Sequence, residues 1–420
     1  MYGRLLKLAV GTTMALTCLS ASAAAQAEHQ HEHMNPPARE WQFMQDGVVF
    51  GLFNHQGGPS GGDEFVVPNW WMGMASRPIG TSSLTLSAMF SLDPATVGIR
   101  GYREIFQAGE AVDGEPLIDR QHPHDFFMQL AAAWRTPISS ATGLTIAGGP
   151  VGEPALGPVA FMHRASAAEN PLAPLGHHTL DSSHIAFGVI TAAIDHGPWA
   201  IEGSLFNGRE PDQDRWDIDF GKLDSVSGRL WFKPTSTWEF QVSTGRLVDP
   251  EELAPGNIQR TTASAAWMKR DGADFTAMTT GYGVNVEHGA ARQSIFVEAT
   301  RHLGLNSVFG RAEIVQVETD LWLDAATNSS VSDEHRKDAV GALTIGAVRD
   351  VLRWRGFEGG IGADATFYAV PDSLKATHGS HPVSFQVFVR VRPPAGSMGR
   401  MWDRRMAQPM PGHAMPMRHE

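Results

Sequence analysis

Over a series of short stretches, every other side chain is apolar. Trp238, Phe240 and Val242 alternate with Glu239, Gln241 and Ser243, and Val383, Phe385, Val387, Val389 and Val391 alternate with Ser384, Gln386, Arg390 and Arg392. The same dyad runs through Leu84, Leu86, Ala88 and Phe90, and through Val226, Leu230 and Phe232. A period of two belongs to an extended strand with one apolar and one polar face; no helix repeats that way. Beyond the leader no apolar run approaches the roughly 18 residues of a membrane helix. The pattern predicts about sixteen strands, within a range of fourteen to eighteen: 46–54, 64–75, 82–91, 125–137, 141–148, 183–194, 198–207, 223–234, 237–247, 260–269, 273–283, 292–301, 306–318, 338–349, 354–369 and 382–392.

The connections alternate as well. Short turns fall at 77–81, 137–142, 195–198, 233–237, 270–273, 302–305 and 350–353. Longer loops fall at 55–63, 92–124, 149–182, 208–222, 248–259, 284–291, 319–337 and 370–381. Short turns at one rim and long loops at the other belong to a barrel that spans a membrane, whereas a soluble sandwich has no reason to sort its loops. The expected fold is therefore all-β: a closed antiparallel transmembrane β-barrel over 45–392, with short periplasmic turns and long extracellular loops. Trp70, Trp71, Trp134, Trp199, Trp231, Trp238, Trp267 and Trp354 lie at or near the expected strand ends, as aromatic girdles do.

The first residues read as an export signal. Arg4 and Lys7 precede the apolar stretch 8–19, and Ala25-Gln26-Ala27 is a small-residue cleavage site, which makes 1–27 a signal peptide. Cleavage there removes Cys18, the one cysteine, so neither disulfides nor thiolate metal sites remain. It also removes two positive charges, taking the net charge from −12 to −14 and arguing against nucleic acid as a partner.

This organisation resembles porin-like outer-membrane β-barrels of Gram-negative bacteria, over nearly all of the mature chain. The resemblance implies outer-membrane lipid and a small solute as partners, a homo-oligomer, and no enzymatic activity. On the alternation, Glu202, Ser204, Arg229, Glu239 and Gln241 face the lumen and are expected to line a pore, while Ile185, Phe187 and Val189 face lipid and put His184 inward.

Two sets of residues suit metal chemistry. With an even strand count both termini lie in the periplasm. A His-rich segment, 28–44, carries His29, His31, His33 and Met34, and the tail 393–420 carries Met398, Met401, Met406, Met410, His413, Met415, Met417 and His419. Thioether sulfur suits Cu(I) and imidazole suits Cu(II), so these segments point to copper. The chain is thus partly similar to outer-membrane copper-resistance proteins, although in that family the methionine-rich segment is N-terminal. The second set lies in the long loops: Asp119, His122, His124, Asp125, His163, His177, His178, Asp181 and His184. These either converge as a metal site at one mouth of the barrel or form a polar network that folds the loops into the pore. Three functions follow: a channel or accessory protein that handles copper, a general small-solute porin with no metal role, or a barrel-embedded hydrolase using Ser183, His184 and a nearby Asp.

Overall fold

The computed structural model describes residues 41–327 and 336–393. The strands in chain order are β1 Gln42–Gln56, β2 Gly62–Val66, β3 Asn69–Ile79, β4 Ser82–Phe90, β5 Tyr102–Val112, β6 Glu115–Gln121, β7 Phe127–Pro137, β8 Thr142–Gly152, β9 Ala186–His196 and β10 Trp199–Phe206. They continue as β11 Ser225–Phe232, β12 Trp238–Val248, β13 Asn257–Asp271, β14 Asp274–Glu287, β15 Ala290–Leu303, β16 Asn306–Glu318, β17 Lys337–Trp354, β18 Phe357–Ala369 and β19 Val383–Arg392.

All wall pairings are antiparallel, and β1 closes the ring by pairing with β19, Phe50 opposite Arg390. On its other edge β1 pairs with β2 through Leu52–Gln56 and with β3 through Gln42–Val49. Pro68 separates β2 from β3; it has no N–H to donate, so the ladder breaks there, and the two pieces act as one wall strand. Counted that way the wall has the sixteen expected strands. Several of the short turns are tight because glycine takes positive φ at their first central position, as at Gly197 (φ 53°) and Gly304 (φ 60°).

Outside, the wall is apolar. In β19 the outward Val387 and Val389 are 48% and 54% exposed, whereas the inward Gln386, Phe388 and Arg390 are sealed. Trp134, Trp199, Trp238, Trp267 and Trp354 gather near the short-turn rim, where Trp238 lies opposite Trp267 and Trp199 stacks on Phe232 at 4.2 Å.

Three expectations need correction. Trp70 and Trp231 point inward and are buried, so they are no part of a girdle; the Trp231 indole instead donates to Glu202 Oε2 at 2.9 Å. Ile185, Phe187 and Val189 are also buried, and the outward residues of β9 are Ile190, Ala192 and Ile194. The chain enters β9 from a 3₁₀ turn at Ser182–His184 and passes Gly188 at φ 84°, so parity cannot be carried back from the regular part of the strand. Lastly, 92–124, expected as a long loop, carries the β5–β6 hairpin.

Candidate functional site

Residues 153–184 leave β8, fold into the barrel interior and return to β9, and almost all of them are buried. Backbone that leaves a sheet for a protein interior must find partners for its N–H and C=O groups. Here the inward polar residues of the wall supply them. Ala155 N donates to Ser204 Oγ (2.7 Å) and Gly157 N to Ser243 Oγ (2.9 Å), while Arg229 holds Glu153 (2.9 Å) and the Gly157 carbonyl (3.1 Å). Arg311 donates to Ala173 O at 2.6 Å, Glu313 accepts from Leu175 N at 2.8 Å, and Arg260 donates to His178 O at 2.7 Å.

Charges within the segment are paired in the same way. Arg164 reaches Glu298 of β15 at 2.6 Å and Asp181 at 2.7 Å. Glu169, fully buried, accepts from Ser307 Oγ at 3.0 Å and pairs with Arg390 and Arg392 of β19. The segment is therefore a plug, gripped from β10 round to β19. The five residues expected to line a pore face inward and are buried: Ser204 and Arg229 hold the plug, Glu202 accepts from Arg229 at 2.8 Å, Glu239 pairs with Lys233 at 2.7 Å, and Gln241 donates to Thr262 at 3.1 Å. The same packing explains Phe309, Arg311 and Glu313, which share the inner face of β16: the side chains there meet protein on both sides.

The plug also assembles histidines. His177 and His178 open a short helical turn, His177–Leu180, and His184 ends the 3₁₀ turn before β9. His122 and His124 come from the β6–β7 connection. Ring centroids lie 5.7 Å apart for His122 and His177, 5.1 Å for His122 and His178, 5.4 Å for His177 and His178, 5.3 Å for His177 and His184, and 6.0 Å for His124 and His184.

Four of the rings have their Nδ1 atom engaged. His177 Nδ1 bonds Asp181 Oδ1 (2.7 Å), His124 Nδ1 bonds Asp93 Oδ2 (2.9 Å), His178 Nδ1 bonds Glu210 Oε1 (3.2 Å) and His184 Nδ1 bonds the Asp181 carbonyl (2.7 Å). Carboxylate and carbonyl oxygens only accept, so each Nδ1 carries the proton and each Nε2 keeps a lone pair in the neutral ring. All four Nε2 atoms are buried without a hydrogen-bond partner among the described residues. Leaving a buried acceptor unsatisfied costs about 1–3 kcal/mol each.

Burial lowers the pKa of His177, and with the neighbouring His177 and His124 it pushes His184 down to about 3, keeping both rings neutral. Burial also lowers His178, but the bond and charge of Glu210 outweigh it and its pKa rises. Asp181 would be raised by burial, yet Arg164 and His177 hold it below the usual carboxylate range.

Not every expected residue joins this cluster. Asp119 instead accepts from Trp322 Nε1 (2.9 Å) and His378 Nε2 (3.1 Å), tying three loops together, and His163 packs edge-on to Trp70. Asp125 faces Arg215 at 3.4 Å, and burial lifts its pKa to about 8. Asp93 and Glu210 were missed: they lie far from the histidines in sequence, and no local spacing connects them. Among the described residues, Asp212, Asp217 and Asp219 bring carboxylate oxygens within 4.8 Å of one another, but Asp212 and Asp219 also accept from loop backbone N–H groups, and Asp212 and Asp217 are exposed. Among the described residues Ser183 Oγ is buried without a hydrogen-bond partner and makes no nucleophile–base contact with His184. The Met/His segments at both ends, His29 to Met34 and Met398 to His419, lie outside the described residues.

No family model matches the chain, and no curated protein matches it in sequence. Solved structures do match in shape. Pseudomonas putida OprB aligns with a TM-score of 0.51 and 9% identity over 84% of this chain and 94% of that one. An anion-selective porin from Comamonas acidovorans aligns at 0.49 and 10% identity, covering 84% of this chain and 100% of that chain. OmpF of Salmonella typhi aligns at 0.48 and 6%, covering 84% and 98%. At 9% identity the likeness to OprB is one of fold alone.

Proposed function

We propose that the protein is an outer-membrane channel for small polar solutes whose lumen is gated by residues 153–184. The observation that carries this reading is the opposition of two surfaces. The outer wall presents a continuous band of Val, Ile, Leu and aromatic side chains, among them Ile190, Ile201, Val242, Ile345 and Val387, with the tryptophans near its short-turn rim. Water penalises an apolar surface of that extent and lipid does not. The inner wall carries buried polar and charged side chains beside apolar ones such as Phe388 and Trp231, and its arginines hold residues 153–184 inside the barrel. Copper capture by the terminal Met/His segments and association of copies in the membrane belong to the same proposal.

Planar bilayers test it. Wild-type protein should conduct in small or infrequent steps, and a variant shortened across residues 160–176 should give large, stable ones. A shortened variant that still migrates as a folded barrel yet leaves the bilayer sealed would refute the channel reading.

A further inference from the structure

We propose that the loop joining β10 to β11, residues 207–224, docks on the bilayer at the boundary between headgroups and acyl chains, through Trp216, Phe220 and Leu223. The inference rests on the membrane placement of the wall. It starts from an aromatic row at the long-loop rim. Trp71, Phe90 and Phe127 are register partners on β3, β4 and β7, so the three rings share the outward side on which Trp71 is exposed. Phe126 packs on Phe90 and Phe127 with centroids 5.4 Å and 4.8 Å away, and Trp216 packs on Phe126 at 5.7 Å. The row therefore leaves the wall and continues onto the loop.

It continues where the wall itself has little apolar surface to offer. Ile146 and Ile190 are the last large outward aliphatics of β8 and β9. Beyond them, toward the long loops, come Gly148, Gly149 and Pro150 on β8 and Gly188 on β9, while Val151, Phe187 and Val189 are buried. The loop lies against this gap: a Cβ built on Gly188 would sit 2.9 Å from Leu223 Cδ2. Phe220 is 75% exposed, Trp216 49% and Leu223 41%.

These side chains cannot easily fold away, because the loop is pinned on its inner side. Arg215 is fully buried and pairs with Glu110 and with Asp125 (3.4 Å), its carbonyl accepts from Phe126 N (2.8 Å), and Glu210 holds His178 of the plug (3.2 Å). Ile218 packs inward on the cluster that contains Met128 and Phe187. Asp212 accepts from Asp214 N at 2.6 Å, Asp214 from Trp216 N at 3.3 Å and Asp219 from Asp212 N at 2.9 Å, so these carboxylates close the loop on itself. An apolar patch held out by a fixed backbone and continuous with a lipid-facing band fits the same medium as the band. Aromatic rings gather at headgroup level, and an interfacial apolar face sinks about 5–10 Å below it. The aspartates beside the patch keep the loop at that boundary, since charge is costly in hydrocarbon.

Depth-dependent quenching tests this. Cys18 is the one cysteine in the chain, so in a Cys18→Ser background an introduced cysteine is the sole labelling site. The full chain, folded into phosphatidylcholine vesicles, is labelled with bimane at Phe220→Cys, at Ile201→Cys on the outward face of β10, and at Asp372→Cys, exposed in the loop after β18. Lipids brominated high on the acyl chain should quench the labels at 220 and 201 by about twofold and leave the label at 372 unchanged. If the label at 201 is quenched and the label at 220 behaves like that at 372, the loop faces water or another protein; the proposal is then overturned and the membrane reading stands. If the label at 201 is not quenched, the membrane reading falls and takes the proposal with it. Should Phe220→Cys fail to fold, Leu223→Cys replaces it with the same expectation.

Discussion

Glu169 is the charge on which the plug depends most. It is fully buried, lies opposite Arg390 and Arg392, and also accepts from Ser307. Glu169→Gln keeps the shape and one acceptor but removes the charge. Arg390 retains Asp350, whereas Arg392 loses the carboxylate it faced. Breaking one side of a buried ion pair costs about 3–5 kcal/mol, and the retained amide puts this case near 3 kcal/mol. At 1.4 kcal/mol per factor of ten, plug release becomes roughly a hundredfold more frequent. Two assays read this: single-channel recording, in which the open fraction should rise, and limited trypsin digestion, in which cleavage after Arg164 should accelerate by a similar factor. Adding Arg392→Gln should cost less than the sum of the two single changes, because the second removes the charge that the first stranded. If Glu169→Gln folds normally and both the open fraction and the cleavage rate stay at wild-type values, the plug does not depend on these charges and the reasoning fails.

Three further outcomes are expected. Val387→Arg places a charge on the outward face of β19 and should lower folding stability in lipid vesicles by about 2–4 kcal/mol, measured by urea titration; an unchanged midpoint would mean the band does not face lipid. Gly109→Ala should push the His178 ring off Glu210, since a Cβ there would lie 2.2 Å from His178 Cε1, and should cost about 1–3 kcal/mol of folding stability by urea titration; an unchanged midpoint would mean the ring is not confined there. Deleting 28–35 and 396–420 should lower the copper bound per chain with barrel folding intact, and equal copper content would end the copper role of the tails.

The barrel was readable because its signals are local. Val383 to Val391 alternate by twos whatever the rest of the chain does, and the short turns at 195–198 and 302–305 follow from their length and their glycines. The loop histidines were readable as a group but not as an arrangement. His177 and Asp181 are four apart and do pair, whereas the partners of His124 and His178, Asp93 and Glu210, come from other loops. Asp119 sits in the same short run as His122 and His124, yet its positive φ of 56° and its bonds to Trp322 and His378 take it elsewhere.

The amino-acid order by itself determined a wall of fourteen to eighteen strands with one greasy face, because strand periodicity and turn length are set within a few residues. Only the tertiary structure decided what fills the middle. An inward arginine such as Arg311 or Arg390 reads the same in a sequence whether it meets water or the carbonyls and carboxylates of a folded-in loop. Which of these it meets depends on loop closure across more than a hundred residues, and no local pattern encodes that.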